Sequence, residues 1–101
     1  MPTITDISGI SYSIREIKEN DVNSSYINLL GQLSEIDNRC ITQEKTKKYL
    51  DTLDSKHKIF VIENLNTRDI VGSGTVLIEE KIIHNYGKVG HIEDIVIDYS
   101  Y

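Results

Sequence analysis

Cysteine is nearly missing from this 101-residue chain: Cys40 stands alone. No internal disulfide and no cysteine-built zinc cluster can form, and a lone thiol suits a reducing compartment. Basic residues are scarce as well. Eleven Lys and Arg face sixteen Asp and Glu, a formal net charge of −5. That balance argues against a nucleic-acid or anionic-membrane surface, although a small anion needs only a local positive pocket. No apolar run approaches the ~20 residues of a membrane-spanning helix. No basic flank leads into an apolar core at the N-terminus, so no secretory signal is visible. Internal repeats and low-complexity segments are missing too. The cytoplasm is the expected setting. What remains, 39% hydrophobic and 27% charged residues, is the composition of one folded globular domain at most.

The strongest single stretch is Gly90-His91-Ile92-Glu93-Asp94-Ile95-Val96-Ile97-Asp98. Its branched residues favour a strand, and without clean alternation both faces are expected to meet protein, as in a central strand. Glu93 and Asp94 sit inside it. In a regular strand neighbours point to opposite faces, so one acid is expected on each side of the sheet. A buried carboxylate is costly unless paired or hydrogen-bonded, so the pair is either a site or a salt-bridged acid beside a solvated one. The same alternation speaks against a metal held by His91, Glu93 and Asp94.

Elsewhere the periodicity is simpler. Residues 1–11 read as a loose leader, and 12–17 alternate as a short strand. Asp21 is the expected cap of a helix over 22–33, on which Val22, Tyr26, Leu29, Leu30 and Leu33 form one apolar stripe. Residues 34–41 read as a loop anchored by Ile36 and Ile41. Thr42 is the expected cap of a second helix, 43–53, whose Lys45, Lys47 and Lys48 form a solvated face. A strand over 58–63, a turn over 64–69 and a long strand over 70–83 make a hairpin. Gly72 and Gly74 share a face of the long strand and relieve a bend or admit another backbone. No helix follows them, so they do not begin a nucleotide-binding fingerprint. A loop over 84–88 leads into the final strand.

The order strand, helix, helix, strand, strand, strand, with the early Ile14-Arg15 strand, resembles the first half of the GNAT acetyltransferase superfamily. Glu80-Lys81-Ile82-Ile83-His84, followed by Gly90-His91-Ile92-Glu93-Asp94-Ile95, is narrower: it resembles the glucosamine 6-phosphate N-acetyltransferases. Gly31-Gln32-Leu33-Ser34 is similar to the substrate-side helix end of that family. The resemblance covers residues 12–101. It implies an α/β (α+β) fold with helices over an antiparallel sheet, here the N-terminal part of a catalytic domain. In the superfamily a Gly-x-Gly turn after the strand ending near Asp98 opens a helix whose amides hold the cofactor pyrophosphate. The sequence stops short of that turn, which leaves a second expectation open: a non-catalytic GNAT-like module used for binding or dimerisation.

The resemblance implies acetyl transfer from acetyl-CoA to the amine of glucosamine 6-phosphate, with no metal, in a homodimer of amino-sugar metabolism. Glu93 and Asp94 then lie beside the sugar with Ile95, and Glu93 is the expected group that orients or deprotonates the amine. The backbone of Ile95, Val96 and Ile97 matches the segment that pairs with the pantetheine arm. Lys81, Ile82, Ile83 and His84 match the segment that contacts the sugar phosphate, and Ser34 matches a hydroxyl that touches the sugar. Taken singly, Lys81 reads as a surface lysine, His84 as a loop histidine, His91 as a strand-edge one and Ser34 as a helix-end residue.

Overall fold

The computed structural model describes residues 3–33 and 42–101. The loop expected over 34–41, with Ile36 and Ile41, lies outside them. Five strands form one antiparallel sheet in sequence order: β1 (Thr3–Thr5), β2 (Ser11–Glu16), β3 (His57–Asn64), β4 (Ile70–Glu80) and β5 (Lys88–Ile97). Helices α1 (Ser24–Leu33) and α2 (Gln43–Leu50) fall between β2 and β3. The expected α/β (α+β) arrangement of helices on an antiparallel sheet is therefore present. Part of the loose leader is not loose, because Thr3–Thr5 pairs with Ser11–Ser13. The turn between them closes on Asp6, whose Oδ1 accepts from Ser8 N–H (2.9 Å) and Ile10 N–H (3.0 Å).

Register assigns the two faces. Val61, Ser73 and Val96 lie across one another on β3, β4 and β5. They meet Val22, Tyr26 and Leu29, and Leu29 and Val61 are wholly buried. This is the helix-bearing face. The opposite face carries Ile14, Ile62 and Ile97 in a row with Gly72. A Cβ at Gly72 would sit 2.9 Å from Cδ1 of both Ile62 and Ile97. The glycine thus makes room for two isoleucines, not for a second backbone.

The start of α1 departs from expectation. Asp21 closes a separate 3-10 turn (Glu19–Asp21) and is buried. Asn23 caps the helix instead, its Oδ1 accepting from Tyr26 N–H at 3.1 Å. Asp21 is drawn away because Arg15 holds it through two 2.7 Å hydrogen bonds. The backbone N–H of Lys18 adds a third. Desolvation pushes the Asp21 carboxyl up, but the Arg15 and Lys18 hydrogen bonds outweigh it and hold it below the ordinary value. Thr42 does cap α2, accepting from Lys45 N–H at 3.1 Å, and the helix ends at Leu50 rather than 53.

Candidate active site

The stretch that resembles the acetyltransferase signature occupies the β4–β5 hairpin. Ser73 pairs with Val96 and Thr75 with Glu93, so Gly74 alone faces both Asp94 and Ile95. Two residues against one is a β-bulge. Asp94 takes the left-handed conformation, φ 52°, which Asp tolerates better than most side chains. The bulge overturns the expectation of one acid per face. Glu93, opposite Thr75, lies on the helix-bearing face with Val96, whereas Asp94 is the inserted residue. After the insertion Ile95 and Ile97 return to the open face, where Ile92, Ile95 and Ile97 line a shallow hollow of about 290 Å³ with Phe60 and Val76.

Among the described residues β5 is the last strand of the sheet. It pairs with β4 on one side only and ends the sheet order. Of its ten residues Val96 alone is buried, while Glu93 and Asp94 are exposed. Its outer edge therefore offers backbone N–H and C=O groups to an incoming strand-like ligand. The end of β5 is fixed from two sides. Gln32, near the end of α1, accepts from Tyr99 N–H at 2.8 Å. Asp98 accepts from the N–H and hydroxyl of Ser100, and these bonds keep its carboxyl below the ordinary value.

At the far end of the hairpin β4 stops at Glu80, not at 83. Lys81 N–H bonds Gly87 C=O at 2.9 Å. Ile83–Tyr86 makes one helical turn. Asn85 and Tyr86 there hold φ of 56° and 61°. That turn cannot continue a strand, which is why the expected long strand and plain loop both fail. Lys81 and Ile82 lead into that turn and Ile83 and His84 begin it, with Ile82 and Ile83 exposed. They are not brought to Glu93. Lys81 lies six residues along the chain from Thr75, Glu93's partner, which at strand rise is roughly 20 Å. Ser34 lies outside the described residues.

A trio of side chains here escaped the sequence reading as a unit. His91 Nε2–H donates to Glu79 Oε2 at 3.0 Å, and Lys81 Nζ is 3.6 Å from Glu79 Oε1. The His91 hydrogen bond, and then the Lys81 charge, hold the Glu79 carboxyl below its usual value. The i, i+2 spacing of Glu79 and Lys81 signals a shared face, but the third member depends on hairpin register. Among the described residues no group of three His, Cys, Asp or Glu could hold a metal, and no helix is long and apolar enough to cross a membrane.

No family model matches the chain. It is 36% identical over 91 residues to glucosamine 6-phosphate N-acetyltransferase of Arabidopsis thaliana, covering 87% of this chain and 60% of that protein. It is 34% identical over 93 residues to glucosamine 6-phosphate N-acetyltransferase 1 of rice, Oryza sativa subsp. japonica, covering 89% of this chain and 55% of that one. Among solved structures, the Arabidopsis glucosamine-6-phosphate N-acetyltransferase superposes with a TM-score of 0.78 at 36% identity, covering 88% of this chain and 61% of that one. A Trypanosoma brucei acetyltransferase follows at 0.77 and 32%, covering 89% and 62%. The chain thus spans 55–62% of the length of these relatives. Its sequence relatives are glucosamine 6-phosphate N-acetyltransferases, and its fold is that of the GNAT acetyltransferases.

Proposed function

We propose that this chain is the part of a glucosamine 6-phosphate N-acetyltransferase that binds the amino sugar and the acyl arm of acetyl-CoA. The observation that carries the proposal is the bulged β5 bearing Glu93-Asp94-Ile95 on a chain 36% identical to such an enzyme. Transfer forms a C–N bond between the sugar amine and the acetyl carbonyl carbon and breaks the C–S bond to the coenzyme. The amine must first lose a proton, because an ammonium has no lone pair. Glu93, an exposed carboxylate at the edge strand, accepts that proton directly or through water. Asp94 stands next to it and shares the substrate-binding role. The bulge interrupts the β4–β5 ladder at Asp94 and Ile95, which frees backbone groups there to meet charge developing on the thioester oxygen. Beyond it the outer edge of Ile95, Val96 and Ile97 pairs with the amides of the pantetheine arm in a strand-addition mode.

Lys81, with Ile82, Ile83 and His84, receives the sugar phosphate as a charge-assisted partner. Lys81 and Glu93 stand roughly 20 Å apart along the strand at the backbone, and their side chains reach towards the two ends of the phosphorylated sugar. A homodimer with the sugar near the interface is the arrangement that the resemblance to these acetyltransferases implies. The lone Cys40 fits the reducing cytoplasm.

Acetylation of glucosamine 6-phosphate by the full-length protein, followed by thiol release from acetyl-CoA, tests the reading. Glu93→Gln is expected to lower kcat by about 10²–10⁴ with a small change in KM. Wild-type protein without activity on glucosamine 6-phosphate would overturn the proposal. An intact kcat in Glu93→Gln would remove Glu93 from the proton-transfer role.

A further inference from the structure

Lys81, which the proposed function assigns to the sugar phosphate, already has an anion beside it. Its Nζ lies 3.6 Å from Glu79 Oε1. The other carboxylate oxygen, Oε2, accepts from His91 Nε2–H at 3.0 Å. Glu79 is thus held by β5 through His91 and turns its other oxygen to Lys81, just past the end of β4. His91 and Glu79 are about half exposed and Lys81 about a third, so the cluster is open to a ligand.

We infer that Glu79 is the internal stand-in for the sugar phosphate, holding Lys81 when the site is empty and giving it up when the phosphate binds. The inference rests on the reading that Lys81 meets that phosphate. Its physics is an exchange of anions. A phosphate approaching Lys81 gains an ammonium that Glu79 has partly neutralised, and it meets Glu79's negative charge at close range. His91 serves as a positioning residue, because its hydrogen bond fixes which carboxylate oxygen faces Lys81. Register makes the arrangement specific. Glu79 pairs with Val89 and Leu77 with His91, so His91 and Glu79 stand diagonally on one face, within reach of long side chains. Glu79 therefore sets affinity for the phosphorylated substrate without touching the reacting amine.

A double-mutant cycle on the full-length protein tests this, reading KM for glucosamine 6-phosphate. Glu79→Gln keeps size and hydrogen-bonding shape but removes the competing charge. In the wild-type background it is expected to lower KM roughly two- to five-fold, the range of an exposed ion pair. In the Lys81→Ala background the same change is expected to leave KM within error, because the residue through which Glu79 acts is gone. An unchanged or raised KM for Glu79→Gln alone overturns the inference. So does an equal fall in both backgrounds, which marks a general field effect. If Lys81→Ala itself leaves KM unchanged, the reading of Lys81 as the phosphate partner has failed, a result distinct from either of these.

Discussion

Replacing each of the two adjacent acids by valine separates the bulge from an ordinary strand. Glu93 sits in regular pairing opposite Thr75 and is exposed. Valine suits such a position, so Glu93→Val is expected to be neutral or slightly stabilising, within about 0.5 kcal/mol. Asp94 holds φ at 52°. A left-handed residue with a Cβ costs about 1–2 kcal/mol, least for Asp and Asn and most for β-branched side chains. Asp94→Val is therefore expected to lose about 1–2 kcal/mol. Asp94→Gly is expected to stay within about 0.5 kcal/mol, because relief at positive φ is offset by the larger entropy of a glycine-containing unfolded chain. Urea denaturation of the full-length protein reads the difference. With a slope of about 2 kcal/mol/M, Asp94→Val shifts the midpoint down by roughly 0.5–1 M relative to Glu93→Val. Equal stability of the two valine variants would mean that the strand runs without a bulge, and the placement of Ile95 and Ile97 on the open face would fall with it.

Lys81→Ala is expected to raise KM for glucosamine 6-phosphate with little change in kcat, since the phosphate is unchanged during transfer; steady-state kinetics at saturating acetyl-CoA decide it, and an intact KM counts against the assignment. Arg15→Ala leaves Asp21 buried without its guanidinium and is expected to cost about 3–5 kcal/mol, measured by chemical denaturation. Because Asp21 is held below its ordinary value in the fold, its contribution is full above the unfolded carboxylate pKa of about 4 and is lost as pH falls through the lowered folded value. An acid titration of stability in the wild type should show that loss, and in Arg15→Ala it should be much smaller. Gly72→Val forces branches into the space of Ile62 and Ile97, whose Cδ1 atoms would be 2.9 Å from a Cβ, and is expected to cost about 1–3 kcal/mol. Gly72→Ala should cost less in a thermal melt, because both isoleucine tips can swing aside.

Much of the fold was legible in local pattern. The alternation at Tyr12, Ile14 and their neighbours, the stripe of Val22, Tyr26 and Leu29, the Thr42 cap and the turn formers after Asn64 all act within a few residues. Such signals survive in sequence because period and capping chemistry are set by covalent neighbours. The same holds for the signature around Lys81 and Glu93, whose residue types and spacing point to the acetyltransferases. Tertiary structure alone decided the rest. Arg15 and Asp21 are six apart, but their pairing requires the chain to bend into a 3-10 turn beneath β2, and Glu63 joins them from β3 at 3.3 Å. That arrangement took Asp21 from the capping role. The bulge is a property of two strands and not of one, since Asp94 becomes the inserted residue only because Gly74 faces it across the ladder. Local sequence specifies torsions and periodicity, whereas register and the partner of a charge are settled only when segments distant in sequence compete for the same contacts.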